Sequence, residues 1–245
     1  MSRIPALVRR ELAAYFVSPI AYVVLAVFLV LAGVDFAFGY LSAETGQFRP
    51  GAVRHVLNDM GFLLLLLTPL LTMRLLSEEF NSGTIETLMT APVSNPAVVF
   101  AKFLGAVGFF LVMILPTLAF PAIHFLSAVE IQPDPGPVIS GYFGLLLLGM
   151  ATVAVGTFTS ACARNQISAA LASVLILGLL WIAGEATVGR ASGWLGRSVQ
   201  YLGILYHFKR FTKGLIDTTG AVYYLSVTAL FLLAAIGVIA VRRWR

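Results

Sequence analysis

An all-α polytopic membrane protein with six transmembrane helices is the fold class this sequence predicts, and three observations predict it. Of the 245 residues 59% are apolar and 11% charged, with a mean hydropathy of +0.93, which leaves too little polar surface to cover a soluble globule. Apolar runs long enough to cross a hydrocarbon core of roughly 30 Å recur six times along the chain. Between them stand short intervals that are polar, proline-rich or basic, so residues 1–245 read as a single transmembrane domain without a soluble one.

The same composition excludes other classes. One cysteine, Cys162, rules out a disulfide framework and an all-cysteine metal site. The net charge of +5 fits Arg and Lys flanking membrane spans; no basic stripe interleaved with aromatics marks a nucleic-acid surface. The first apolar run is about twenty residues long and no small-residue cleavage site comes after it, so the first helix is expected to stay in the membrane.

Residues 1–18 predict an interfacial amphipathic helix. Ile4, Leu7, Val8, Leu12, Tyr15 and Phe16 recur at helical spacing while Arg3, Arg9, Arg10 and Glu11 lie mainly elsewhere, with Pro5 near the start and Pro19 past the end. Such a helix buries its apolar stripe at the acyl boundary while Arg reaches anionic headgroups of the lipid bilayer. Ile20 to Tyr40 is the first span, interrupted by Asp35. An ionisable residue at that depth is a functional candidate, although Asp35 sits near enough to the polar end to reach water. Residues 41–58 are expected to form an outer loop holding a short helix. Met60 to Leu76 is the second span, kinked by Pro69 and closed by Arg74.

The interval 77–96, SEEFNSGTIETLMTAPVSNP, is a long polar and conformationally punctuated stretch between two strongly apolar runs. Ser82, Gly83 and Thr84 are helix-starting residue types, and Glu86 falls in the first turn, where exposed amides favour a carboxylate. Ile85, Leu88 and Met89 share one face, and Pro92 ends the helix. A two-turn amphipathic helix preceded by Glu78 and Glu79 suits docking into a groove on another protein; spacing alone equally allows a solvated loop helix.

Ala97 to Leu126 is the third span, with Lys102 expected to snorkel toward headgroups and Pro116 and Pro121 expected to bend the outer half. After the turn Glu130 to Pro137, the fourth span runs from Ile139 to Ala163, and Gly141, Gly144, Gly149 and Gly156 leave room for another helix to approach. Arg164, Asn165 and Gln166 make an inner turn before the fifth span, Ile167 to Gly184. Residues 186–219 predict two short helices lying in or dipping into the outer leaflet, one with the stripe Leu195, Val199 and Leu202, the other with Ile204, Phe208, Phe211 and Leu215. Val222 to Val241 is the sixth span, anchored by Arg242, Arg243, Trp244 and Arg245.

Two stretches carry a family resemblance. Glu78-Glu79, then Gly83-Thr84-Ile85-Glu86, Leu88 and Ala91-Pro92-Val93-Ser94 resemble the cytoplasmic loop after the second transmembrane helix of ABC-2 type transporter permeases. The resemblance implies that Glu78, Glu79, Gly83, Thr84, Ile85, Glu86, Leu88, Met89, Pro92 and Val93 form a coupling helix that inserts into an ATP-binding subunit. It also implies that the N-terminal helix, through Arg9, Arg10 and Glu11, contacts that ATPase. His207-Phe208, Phe211, Gly214, Ile216-Asp217 and Tyr223-Tyr224 resemble the segment before the last span in the gliding-motility and nitrous-oxide-reductase-maturation branch, where outer helices are re-entrant. By this resemblance the chain would be an exporter subunit of a bacterial inner membrane that pairs with a second permease copy as a homodimer. Two copies of an ABC ATP-binding subunit would hold the ATP and Mg, leaving no cofactor on this chain, and a companion membrane subunit with a large periplasmic domain would complete the assembly.

Placing both termini in the cytoplasm puts Arg3, Arg9, Arg10, Arg74, Lys102, Arg164, Arg242, Arg243 and Arg245 inside, nine of the sixteen basic residues. No G-x-x-x-x-G-K-[ST] occurs, so nucleotide must be bound by another polypeptide. There is no H-E-x-x-H or G-x-S-x-G, and His55, His124 and His207 fall on three outer segments without ligand spacing, so neither catalysis nor a metal site is expected. A secondary transporter would call for paired ionisable residues near the midplane or an inverted repeat, and neither is present. A non-transporting membrane scaffold remains the alternative that sequence leaves open.

Overall fold

The computed structural model describes residues 3–41, 52–81, 94–126, 134–186 and 194–242. Among them every regular element is helical. Six segments are long and apolar enough to cross a membrane: Pro19–Gly39, Val53–Asn81, Asn95–Ile123, Pro135–Cys162, Gln166–Gly184 and Thr218–Arg242. The protein is an all-α, multi-pass membrane protein.

Helix α1 (Arg3–Val17) meets α2 (Pro19–Leu41) at Ser18, and α3 (Ala52–Thr72) leads through a turn into the short α4 (Ser77–Asn81). The third span is α5 (Asn95–Ile114), a 3-10 turn over Leu115–Leu118, and α6 (Ala119–Leu126). Then come α7 (Pro135–Cys162), α8 (Gln166–Ala186), the short α9 (Trp194–Tyr201) and α10 (Ile204–Phe211), and α11 (Thr218–Arg242). Asp134 accepts a hydrogen bond from the Gly136 amide at 2.9 Å to start α7, and Asn165 does the same for Ser168 at 2.8 Å to start α8.

Helix α7 is the axis of the bundle, packing against α3, α5, α8, α10 and α11. The second, third and fourth spans are each 67% buried, against 22%, 22% and 28% for the first, fifth and sixth, so the former make the core and the latter present apolar surface outward. Each glycine expected to admit a neighbour does so: Gly141 faces Leu57, Gly144 faces Phe211, Gly149 faces Phe110 and Gly156 faces Thr72. At Gly156 a Cβ would overlap the Thr72 side chain, itself fixed by a 2.9 Å hydrogen bond to the Thr68 carbonyl. Gly156→Ala is therefore expected to cost about 1–3 kcal/mol by forcing α3 away from α7. Gly178→Ala, with nothing near its Cβ, should leave the thermal midpoint unchanged, and equal midpoints for the two variants would refute the close seam.

Two interruptions of the helical ladder have identifiable partners. Beyond Pro69 the helix gives way to a turn at residues 73–76, and the Ser160 hydroxyl of α7 fills the break. It accepts from the Leu76 and Ser77 amides at 2.9 and 3.1 Å and donates to the Met73 carbonyl at 3.1 Å. A broken helix survives at membrane depth because a neighbour satisfies its backbone. At Pro116 the ladder tightens to 3-10, and the Tyr142 hydroxyl donates to the Thr117 carbonyl at 2.7 Å.

Two details differ from the sequence expectation. Residues 52–58 are not a separate loop helix but the first turns of α3, because Val56, Leu57 and Met60 continue the buried stripe. Val199, Leu202 and Leu215 are exposed on the protein surface. The expected second helix is more than surface-bound: Ile204, Leu205, His207, Phe208 and Phe211 are all buried, packed into the protein core. Residues 82–93, which hold the expected coupling helix, and Arg243, Trp244 and Arg245 lie outside the described residues.

Candidate coupling site

At the end of the bundle where α1, α4 and α5 meet, opposite charges from three elements converge. Helix α1 lies flat on α5: Gly105 faces Glu11 and Gly108 faces Leu12, and Tyr15 stacks on Phe109 with ring centres 5.0 Å apart. The Tyr15 hydroxyl donates to the Leu71 carbonyl at 3.2 Å, tying α1 to α3 as well. The amphipathic helix is thus docked on protein, not held by lipid alone.

That docking brings Lys102 inside. Its side chain is 5% exposed, and its Nζ lies 2.7 Å from Glu79 Oε1 and 3.2 Å from Glu11 Oε2. The expected snorkelling of Lys102 is corrected: a buried ammonium flanked by two carboxylates has no need to reach headgroups, and without them it would be very costly there. Beside it Arg74 binds Glu78 through two nitrogens at 2.9 and 3.1 Å and donates to Ser18 Oγ at 2.7 Å. These groups line a cavity of about 390 Å³ whose walls include Arg10, Tyr15, Leu71 and Lys102.

The sequence-predicted coupling residues are divided by this geometry. Glu79 turns inward to Lys102, and Glu78 binds Arg74 in the same helix-to-helix seam. Gly83, Thr84, Ile85, Glu86, Leu88, Met89, Pro92 and Val93 lie outside the described residues. Of the α1 trio, Arg9 and Arg10 are exposed, whereas Glu11 is spent on Lys102 and on a 2.8 Å contact from Arg10. Sequence reasoning missed that Lys102 is the hub; an isolated lysine early in the apolar run that begins at Ala97 was the available signal.

Burial pushes the Glu11 carboxyl up, but the Lys102 charge and hydrogen bonds from Arg10 and Lys102 outweigh it and hold the group below its ordinary 4.5. A lowered folded-state value means the carboxylate stabilises the fold above pH 4.5 and loses that contribution as pH falls through the lowered value. The thermal midpoint of the wild type should therefore exceed that of Glu11→Gln at pH 7, and the gap should close below pH 4.5. A gap unchanged down to strong acid would refute the pairing.

The outer-segment residues assemble elsewhere, as packing rather than as a polar site. Phe208 lies against Gly61 and Phe211 against Gly144, both rings fully buried. His207 stacks on Tyr223 at 4.2 Å, and its Nε2 is 2.9 Å from the Tyr201 carbonyl. Tyr224 donates to the Ile204 carbonyl at 2.7 Å. Gly214 takes φ +88°, the left-handed turn that favours glycine, and Asp217 pairs with Arg210 at 2.7 Å. The arrangement plugs α10 between α3, α7 and α8. The structure also gathers three residues that sequence reasoning did not join, Asp35, His55 and Asp59, at the far end of α2.

Fold and site together define a multi-pass helical membrane protein with a buried ionic cluster where α1, α4 and α5 meet. The family model described as ABC-2 family transporter protein matches residues 15–184, and the chain belongs to that family. It is accordingly a permease component of an ABC-type system rather than a catalytic subunit. No curated protein matches the chain.

Proposed function

We propose that the chain is the membrane subunit of an ATP-driven exporter, receiving the motion of a separate ATPase through the Lys102 hub. The observation that carries this reading is the bridge from Lys102 of α5 to Glu11 of α1 and to Glu79, three residues before the interval 82–93 that resembles a coupling helix. Two ATPase subunits, closing on ATP, push that interval. Displacement of Glu79 then moves α5 through Lys102 and α1 through Glu11, while Arg74 and Glu78 hold α4 to the end of α3. A charged hub with a low-dielectric surround transmits a rigid-body shift because separating its members is costly.

Supporting the partner arrangement is family membership, which implies an ABC ATPase. The permease homodimer, the companion subunit with a periplasmic domain, and placement in a bacterial inner membrane with both termini cytoplasmic extend this by resemblance. The gliding-motility and nitrous-oxide-reductase-maturation branch rests on residues 204–225, beyond the matched 15–184.

Affinity purification from native membranes in mild detergent, with mass spectrometry and stoichiometry, tests the reading. Recovery of a P-loop ATPase in amounts equal to this chain is expected. Recovery of the chain without an ATPase would overturn the exporter reading and favour the scaffold.

A further inference from the structure

We propose that Asp35, His55 and Asp59 form a binding site for a borderline divalent cation of the zinc type, which clips α2 to α3 at the end of the bundle opposite Lys102. The inference is independent of the coupling reading. Asp35 is contributed by α2, and His55 and Asp59 occupy i and i+4 on the first turns of α3, one above the other on a single face. Their ligand atoms all lie within 4.8 Å of one another. His55 Nδ1 is 3.0 Å from Asp59 Oδ2 and 3.8 Å from Asp35 Oδ1.

Those separations suit one metal ion. Bonds of about 2.0–2.1 Å arranged tetrahedrally place their donor atoms about 3.4 Å apart, and the two His55–carboxylate distances straddle that value. A second observation comes from Asp35 itself: its Oδ2 is shut off from solvent and has no hydrogen-bond partner among the described residues, an acceptor of the kind a cation satisfies. Two carboxylates this close repel each other, and one imidazole offsets at most one charge. A divalent ion neutralises both and takes the imidazole lone pair as a third donor, with the proton on Nε2.

The donor set selects the metal class. One imidazole nitrogen with two carboxylates is a mixed set that zinc and its neighbours accept, whereas calcium and magnesium demand oxygen throughout and more of it. His55 is 73% exposed, so an ion reaches the site from solution and keeps a coordination position open to water. About 25 Å of helix separates the cluster from Ser18 at the coupling end. A clip there fixes the far ends of α2 and α3, which pack on each other along their length.

The test is a calorimetric titration of the chelator-stripped, purified full chain, without a polyhistidine tag, with Zn²⁺ alone. One equivalent per chain is expected, with affinity falling more than about tenfold in His55→Ala and in Asp59→Asn, and unchanged in the neighbouring Arg54→Ala. Each variant must elute as the same monodisperse species as the wild type. Replacing Zn²⁺ by Co²⁺ in the wild type adds a readout that needs no variant: an intense visible spectrum characteristic of tetrahedral nitrogen and oxygen ligation. No binding in the wild type, wild-type affinity in folded His55→Ala, or a weak octahedral Co²⁺ spectrum would each overturn the site.

Discussion

Lys102→Met is expected to lower the stability of the purified protein by roughly 3 kcal/mol, a fall of about 10 °C in thermal midpoint. The reason is not the lost attraction alone. Removing the ammonium leaves Glu11 and Glu79, both largely shielded from solvent, facing the same space without compensation. The triple variant Lys102→Met, Glu11→Gln, Glu79→Gln removes the whole charged set and should recover most of the midpoint, because a complete buried ionic group is often replaceable at little cost while a broken one is not. A wild-type midpoint for Lys102→Met would eliminate the hub as a structural element. In a complex with its ATPase, the triple variant should hydrolyse ATP without coupling it to movement, since the fold is kept and the linkage is gone.

Charge reversal at Glu86 is expected to release the ATPase while leaving the thermal midpoint close to that of the wild type. Reversal at Glu79 has a different expected outcome. A lysine there would stand against Lys102, whose Nζ is 2.7 Å from the present carboxylate, so the fold itself would suffer along with the docking. The family resemblance placed Glu79 and Glu86 in one coupling stretch, and of the two the structure describes Glu79, paired with Lys102. Co-purification of the ATPase and a thermal melt on each single variant distinguish the two positions. Retained ATPase in Glu86→Lys would remove the coupling assignment from the interval 82–93.

Much of the architecture was legible because it depends on local properties. Run lengths of apolar residues mark six spans, and the amphipathic spacing of Leu12 and Tyr15 marks α1. Pro116 lacks an amide hydrogen wherever it sits, so a tightened turn is expected there without tertiary information. The glycines of α7 were readable as close-approach positions, though not their partners Leu57, Phe211, Phe110 and Thr72. The beginning of α3 was misplaced because Arg54, His55, Asn58 and Asp59 make the segment polar on average, and only the face bearing Val56, Leu57 and Met60 reveals the helix. Helix α10 was expected to lie in or dip into the outer leaflet on its stripe Ile204, Phe208 and Phe211, yet that face is buried in the protein.

The sequence by itself determined the class of protein, the number of spans and the tightened turn at Pro116. Their basis is the length of each apolar run against the thickness of a bilayer and the covalent limits of proline and glycine. Only the tertiary structure decided which charges meet. Glu11 and Lys102 are 91 residues apart in the chain, and their contact exists because α1 lies along α5 at Gly105 and Gly108. Asp35 joins His55 and Asp59 for a like reason, since α2 and α3 pack side by side and bring an acidic residue from one against the i, i+4 pair on the other. Electrostatic partnership in a low-dielectric bundle is a property of distance through space, and spacing along the chain does not report it.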